Sequence, residues 1–383
     1  MSLPRWLGAG ILTVAALVLS PAGAVAASET TPRLGAHTMV ETSMSPATVD
    51  ALFAAARTAH LGSVRFDVFA FTSFPLGPDS PQWQSLDVYR AAVRTYRLQA
   101  VGVIAGVPAW LSRCPERADG FWRCPPTDYL AWSRLVQAIV AHAPEIRFWE
   151  VVNEADLEHF FRGDAREYAR FLLVTSAAIR SANLRAKVVF TGVVRPFASP
   201  WLDTVLATPG VVDSFDVANA HLRGGVDKLD EMVKAARGTF AYHGFQGPLW
   251  ITEMGYASDP RWQSVPGYLS SDFAAGRRTQ ARYMRRAVPA MLRSGARRVF
   301  VTLRDLDTEW GPFTSEGLLH WPVPVPKPAY FAVARIAERL ITRAARRRLA
   351  RCGCDRARAR RRRGPPRRRG SARPASSASR GGR

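Results

Sequence analysis

Phe148-Trp149-Glu150-Val151-Val152-Asn153-Glu154 and Leu249-Trp250-Ile251-Thr252-Glu253-Met254-Gly255 are two apolar runs of strand length, each closing on a carboxylate. Near-continuous apolar runs suit parallel strands buried on both faces, and a carboxylate ending one is costly unless it is paired. Working outward, strand signals recur at 34–38, 63–70, 100–105, 146–153, 187–193, 214–221, 248–254 and 298–303. Amphipathic helix signals lie between them, at 46–60, 86–97, 129–140, 164–183, 226–238, 271–294 and 328–342. The clearest places Tyr129, Trp132, Leu135, Val136, Ile139 and Val140 on one helical face. Eight strand-then-helix units predict an α/β fold, a (β/α)8 TIM barrel forming a single domain over 28–342. A doubly wound open sheet is the alternative, and no G-x-G-x-x-G follows the first strand to support it. In a barrel the functional side chains sit at the C-terminal ends of the strands. Glu154 and Glu253 then face one another across the mouth.

The 383 residues carry a formal charge of +22, 47% hydrophobic residues and four cysteines, which excludes a disordered, collagenous or small disulfide-stapled chain. Most of that charge is concentrated in 343–383, which holds 17 Arg and one Asp; with that segment and Arg5 set aside, the 28–342 body is only +5. No specific nucleic-acid role is expected of the body. The 343–383 segment mixes Arg with Ala, Gly, Pro and Ser and is expected to be a disordered tail. Two origins stay open for it: a non-specific polyanion-binding extension, or a frameshift-derived end in GC-rich coding, since the chain has only four lysines beside 49 arginines.

Residues 1–27 read as a secretory signal peptide: Arg5, an apolar stretch from Trp6 to Ser20, then Ala24-Val25-Ala26 as a cleavage site. An uncleaved anchor is the alternative. No other stretch has 18 consecutive apolar residues, so the expectation is a secreted protein, extracellular or in the cell envelope, without a transmembrane anchor after cleavage. Export makes a Cys114–Cys124 disulfide an option, with two free thiols the other. Cys352 and Cys354 are too close for an unstrained bridge and complete no zinc pattern.

Two carboxyl groups flanking a site are what glycoside hydrolysis requires, one protonated to serve the leaving oxygen and one ionised at the anomeric carbon. Asn153-Glu154 after Trp149-Glu150, with Glu253 closing the seventh strand, resembles clan A of the glycoside hydrolases, retaining barrel enzymes with catalytic carboxylates on strands four and seven. Leu303-Arg304-Asp305, Gly317-Leu318-Leu319 and Lys327-Pro328-Ala329-Tyr330 are similar to the closing segment of secreted bacterial members related to families 5 and 39. The resemblance covers 34–342. It implies Glu154 as general acid/base, Glu253 as nucleophile, Asn153 on the hydroxyl next to the reacting carbon, and Arg65 holding the nucleophile ionised.

Glu150 shares the inward parity of Glu154 deeper in the strand and is expected to be a buried partner, with Arg65 the candidate. His221 and His37 end strands six and one as substrate ligands or rim histidines. Relatives often have His-x-Tyr on strand six, the tyrosine touching the nucleophile, whereas this chain has His221-Leu222-Arg223; Tyr256 is the candidate replacement. Of seven loop aromatics, Trp110 and Trp310 are the expected platforms for sugar rings. These readings imply a secreted retaining glycosidase acting on β-linked carbohydrate with no metal or organic cofactor. Two alternatives remain, a weakened barrel that binds glycans at the cell surface and a polyanion binder driven by the tail.

Overall fold

The computed structural model describes residues 33–114, 120–262, 276–306 and 311–362, with side chains described as far as Arg346. The expected signal peptide at 1–27, Trp310 and the last part of the tail lie outside the described residues.

The chain alternates strand and helix in the order β1 (Leu34–His37), α1 (Pro46–Thr58), β2 (Ser63–Phe69), α2 (Ala70–Ser73), α3 (Gln84–Tyr96), β3 (Gln99–Ala105), α4 (Tyr129–His142), β4 (Phe148–Val151), α5 (Ala165–Ala182), β5 (Lys187–Val189), α6 (Pro200–Ala207), α7 (Val211–Ser214), β6 (Ala218–His221), α8 (Val226–Tyr242), β7 (Leu249–Met254), α9 (Arg277–Arg293), β8 (Arg298–Thr302) and α10 (Pro328–Arg362). The eight strands pair in parallel in the order β5-β4-β3-β2-β1-β8-β7-β6. Isolated parallel bridges Val189–Val217 and Val193–Ala220 bring the two outer strands together, completing a (β/α)8 barrel.

Local chemistry sets the element boundaries. Ser45 and Asp128 cap α1 and α4 through their side chains, and Asp164 with Glu167 forms a full capping box on α5. Close packing demands small residues on both faces of the sheet: a Cβ on Gly35 would sit 2.4 Å from the Phe300 ring inside the barrel, and one on Gly102 2.6 Å from Trp149 on the helix-facing side.

Three departures from the sequence reading have physical causes. The 187–193 run yields only the three-residue β5, and the 214–221 run begins as strand at Ala218, because α7 occupies Val211–Ser214. Short helices α6 and α7, which the reading lacks, fill the crossover between them; α6 opens with Ser199 as cap and Pro200 in its first turn. The final helix continues to Arg362, past residue 342 where a disordered tail was expected, since Ala, Arg and Leu are all strong helix formers. Among the described residues, no helix is long and apolar enough to cross a membrane.

Candidate active site

At the centre of the mouth lies Arg65, from the inward face of β2 and fully buried. Its Nε and Nη2 grip Glu150 at 2.8 Å each, Nη2 also donates to Asn153 Oδ1 at 2.7 Å, and Nη1 reaches Glu253 Oε1 at 2.9 Å and His37 Nε2 at 3.0 Å. The guanidinium has five N–H donors, and all five are occupied. Glu150 is thus the buried partner of Arg65.

Glu253 ends β7 with its Oε1 toward Arg65 and its Oε2 3.2 Å from Arg223 Nη2. Burial alone would raise its carboxyl pKa, but His221, His37, Arg65 and Arg223 together hold it well below the usual carboxylate range. His37 Nδ1 lies 3.3 Å from Glu253 Oε1. Burial pushes the His37 imidazole down to about 3, so this ring adds its charge only at acid pH, and the permanent positive charges beside Glu253 are the two arginines.

Glu154 sits three residues beyond β4. Its Oε1 is 2.6 Å from His221 Nδ1, whose other nitrogen is 3.0 Å from Thr252 Oγ1, so the ring is held at both ends. The space His221 occupies exists because residue 192 is glycine; a Cβ there would lie 2.0 Å from His221 Nε2. The turn leaving β4 carries left-handed backbone at Val152 (φ 64°) and Glu154 (φ 43°). That conformation costs about 1–3 kcal/mol per non-glycine residue and persists only where surrounding contacts impose it, as the hydrogen bond of His221 to Glu154 does here. One oxygen of Glu154 and one of Glu253 lie within 4.8 Å of each other. His221 completes a group of three ligating side chains, but two guanidiniums already neutralise Glu253, which leaves this cluster a poor host for a cation.

A cavity of about 610 Å³ opens over these groups, lined among others by Asp67, Asn153, Glu154, His221, Arg223 and Glu253. Two expectations are corrected at its walls. Tyr256 does not reach Glu253: it is buried with its ring stacked on Tyr283, centroids 4.2 Å apart, between the β7 end and α9. The group that meets Glu253 from the position of the absent tyrosine is Arg223 itself. Nor does Trp110 line the cavity; its indole N–H donates to Phe74 O, which ties the ring to the neighbouring loop. Among the described residues, the aromatic side chains on the cavity walls are instead Phe160 and Phe313, beside aliphatic ones such as Leu157 and Met232. Cys114 and Cys124 are joined in a disulfide, with Cα atoms 5.9 Å apart, closing the loop after β3.

Three functional side chains escaped the sequence reading. Arg223 is held by Glu316, with Nε at 2.9 Å from Oε1 and Nη2 at 3.1 Å from Oε2. Gln280 anchors the Glu316 segment by donating to the backbone oxygens of Glu316 and Gly317. Gly255 makes room for the carboxylate, since a Cβ there would fall 2.5 Å from Glu316 Oε2. Nothing in the chain order ties residue 316 to residue 223, so no sequence signal pointed to this pair. Asp67 is the third, and its signal was available: it lies two residues after Arg65, on the same face of β2.

No family model matches the chain. Solved structures do. Its structural neighbours are glycoside hydrolases. A family 39 glycoside hydrolase from the gut symbiont Bacteroides cellulosilyticus WH2 matches with a TM-score of 0.61 at 17% identity, over 80% of this chain and 63% of that one. A monomeric β-xylosidase from Caulobacter crescentus CB15 matches at 0.60 and 20% identity, over 76% and 66%. A family 5, subfamily 18 structure from Bifidobacterium longum, in complex with Manβ1-4GlcNAc, matches at 0.59 and 14% identity, over 81% and 78%. The chain spans less than two thirds of the length of the first two. At these identities the likeness establishes the fold, a barrel of the kind used by glycoside hydrolase families 39 and 5.

Proposed function

We propose that the protein is a secreted retaining glycoside hydrolase that acts on β-linked sugars through Glu253 and Glu154. The observation that carries this reading is the separation of their carboxylates. Retention needs the two groups about 5 to 5.5 Å apart, whereas inversion needs roughly 6.5 to 9.5 Å to admit a water molecule. Oxygens within 4.8 Å support the retaining arrangement.

The chemistry then runs in two balanced steps. Glu253, kept ionised by Arg65 and Arg223, attacks the anomeric carbon while the bond to the leaving oxygen breaks and Glu154 gives that oxygen its proton. Water next attacks the same carbon, returns a proton to Glu154 and releases Glu253. Asn153 has its oxygen fixed by Arg65, which leaves its amide nitrogen to donate to the hydroxyl beside the reacting carbon. His221 holds Glu154 in position. Both proton and nucleophile roles are filled by carboxylates, so the reading requires no metal or organic cofactor. The structural neighbours, among them a β-xylosidase and a Manβ1-4GlcNAc complex, support a β-linked carbohydrate as substrate.

Secretion is proposed on the 1–27 leader and is supported by the disulfide at Cys114–Cys124. The arginine-rich end is proposed to add non-specific contact with polyanions. A second reading, a glycan-binding barrel with little turnover, is favoured by one feature: Arg223 replaces a neutral tyrosine beside the nucleophile, and a carboxylate held by two guanidiniums is a weaker nucleophile.

Hydrolysis of a panel of aryl β-glycosides by the full chain, beside Glu253→Gln and Glu154→Gln, tests both. Turnover that disappears in Glu253→Gln and falls about 10²- to 10⁴-fold in Glu154→Gln is expected. Folded wild-type protein that binds sugars and turns over none supports the glycan-binding reading instead.

A further inference from the structure

Among the described residues, five carboxyl side chains line the cavity, and four of them have partners. Glu41 pairs with Arg304, Glu154 with His221 at 2.6 Å, Glu253 with Arg65 at 2.9 Å and Glu316 with Arg223 at 2.9 Å. Asp67 is the exception: among the described residues it has no hydrogen bond and no ion pair. The obvious donor, Arg65, stands two residues away on the same strand face, but each of its N–H groups is already engaged. A carboxylate can accept about four hydrogen bonds, and one left half-buried without any costs free energy that a ligand can return by supplying donors.

We propose that Asp67 is the hydroxyl anchor of this pocket, accepting hydrogen bonds from the sugar ring held beside Glu253, and so a specificity-determining residue. This rests on the carbohydrate reading above. The charges around Asp67 are mixed, with Arg65 and His221 opposed by Glu253 and Glu150, which favours a neutral polyol over an ionised ligand. Burial raises its carboxyl to about 6, so the group is largely ionised at neutral pH and takes up a proton in mildly acidic solution. A carboxyl able to accept or donate matches a hydroxyl, which does both.

The test begins with a readout that needs no turnover. The full-length protein, carrying ¹³C at its aspartate side-chain carboxyls, is titrated with D-xylose, D-glucose and D-mannose, the Asp67 resonance being identified by its loss in Asp67→Asn. At least one sugar is expected to move that resonance saturably. If none does, the anchor is overturned. On whichever aryl glycoside is cleaved, Asp67→Ala is expected to raise KM about ten- to a hundredfold with kcat little changed, the range for a hydrogen bond to a charged group. That penalty should vanish on the monodeoxy glycoside lacking the anchored hydroxyl. Asp67→Asn, close to isosteric, repeats the comparison if the alanine variant fails to fold. The two proposals separate cleanly: a sugar that moves Asp67 in a protein without turnover keeps the anchor and removes the hydrolase, whereas turnover with Asp67 unmoved and KM unchanged does the reverse.

Discussion

Of the fully buried arginines, Arg65 and Arg298 lie at opposite ends of this barrel. Arg65 at the mouth is surrounded by Glu150, Glu253, Asn153 and His37. Arg298, the first residue of β8, lies at the opposite end with no carboxylate partner among the described residues. Its guanidinium sits 4.1 Å over the Trp250 ring and 4.9 Å over Phe148, and its one side-chain hydrogen bond is a long one, 3.4 Å to Ser63 Oγ. Burial pushes Arg298 down to about 9, yet it remains a cation at neutral pH. The same side chain thus has two settings. At the floor it is a plug held by aromatic faces, and at the mouth it is a charge hub that pairs with two carboxylates. The strand end at which a residue falls decides which.

Substituting each arginine probes that contrast. Arg65→Met leaves Glu150 and Glu253 buried without their cation and is expected to cost about 3–5 kcal/mol in denaturant unfolding, together with all turnover. Gly255→Ala drives a methyl against Glu316, and the repacking should cost about 1–3 kcal/mol in the same measurement while loosening Arg223.

Arg223→Gln sharpens the comparison through pH. A carboxylate whose pKa is lowered in the folded protein stays ionised as pH falls, until the folded value is reached. Removing one of its two guanidiniums raises that value. The acid limb of kcat/KM should therefore move up by about one pH unit, and an unmoved limb means Arg223 does not set the charge of Glu253. The smallest effect belongs to the floor: Arg298→Met exchanges a buried unpaired cation for an apolar chain, and the unfolding free energy should change by about 1 kcal/mol or less. A loss as large as that of Arg65→Met would break the distinction between the two ends.

The parts legible in the sequence were those governed by neighbours along the chain. Alternation of apolar runs and helical faces gave eight strands within a few residues of their observed bounds, because burial of a strand on both faces leaves a local signature. Glu154 and Glu253 stood out as carboxylates closing apolar runs, and the barrel rule set them at one rim. Glu150 shares the inward parity of Glu154 in the sequence, with Arg65 its candidate partner, and the structure makes Glu150 and Arg65 a bidentate pair. Tyr256 shows the limit of such reasoning. It sits three residues from Glu253, but the β7 strand end turns it toward Tyr283, while Arg223, thirty residues earlier, meets the carboxylate.

By itself the sequence determined the period of the elements, the strand ends that carry carboxylates and the missing tyrosine after His221. Only the tertiary structure decided which charges share a cavity. Closing a barrel brings β2, β4, β6, β7 and the loop after β8 to one rim, so residues 65, 154, 223, 253 and 316 become neighbours through sheet curvature and not through chain order. Electrostatic partners are chosen by distance in space, which no periodicity along the chain encodes, and that is why the pairing of Glu316 with Arg223 emerged only once the barrel was closed.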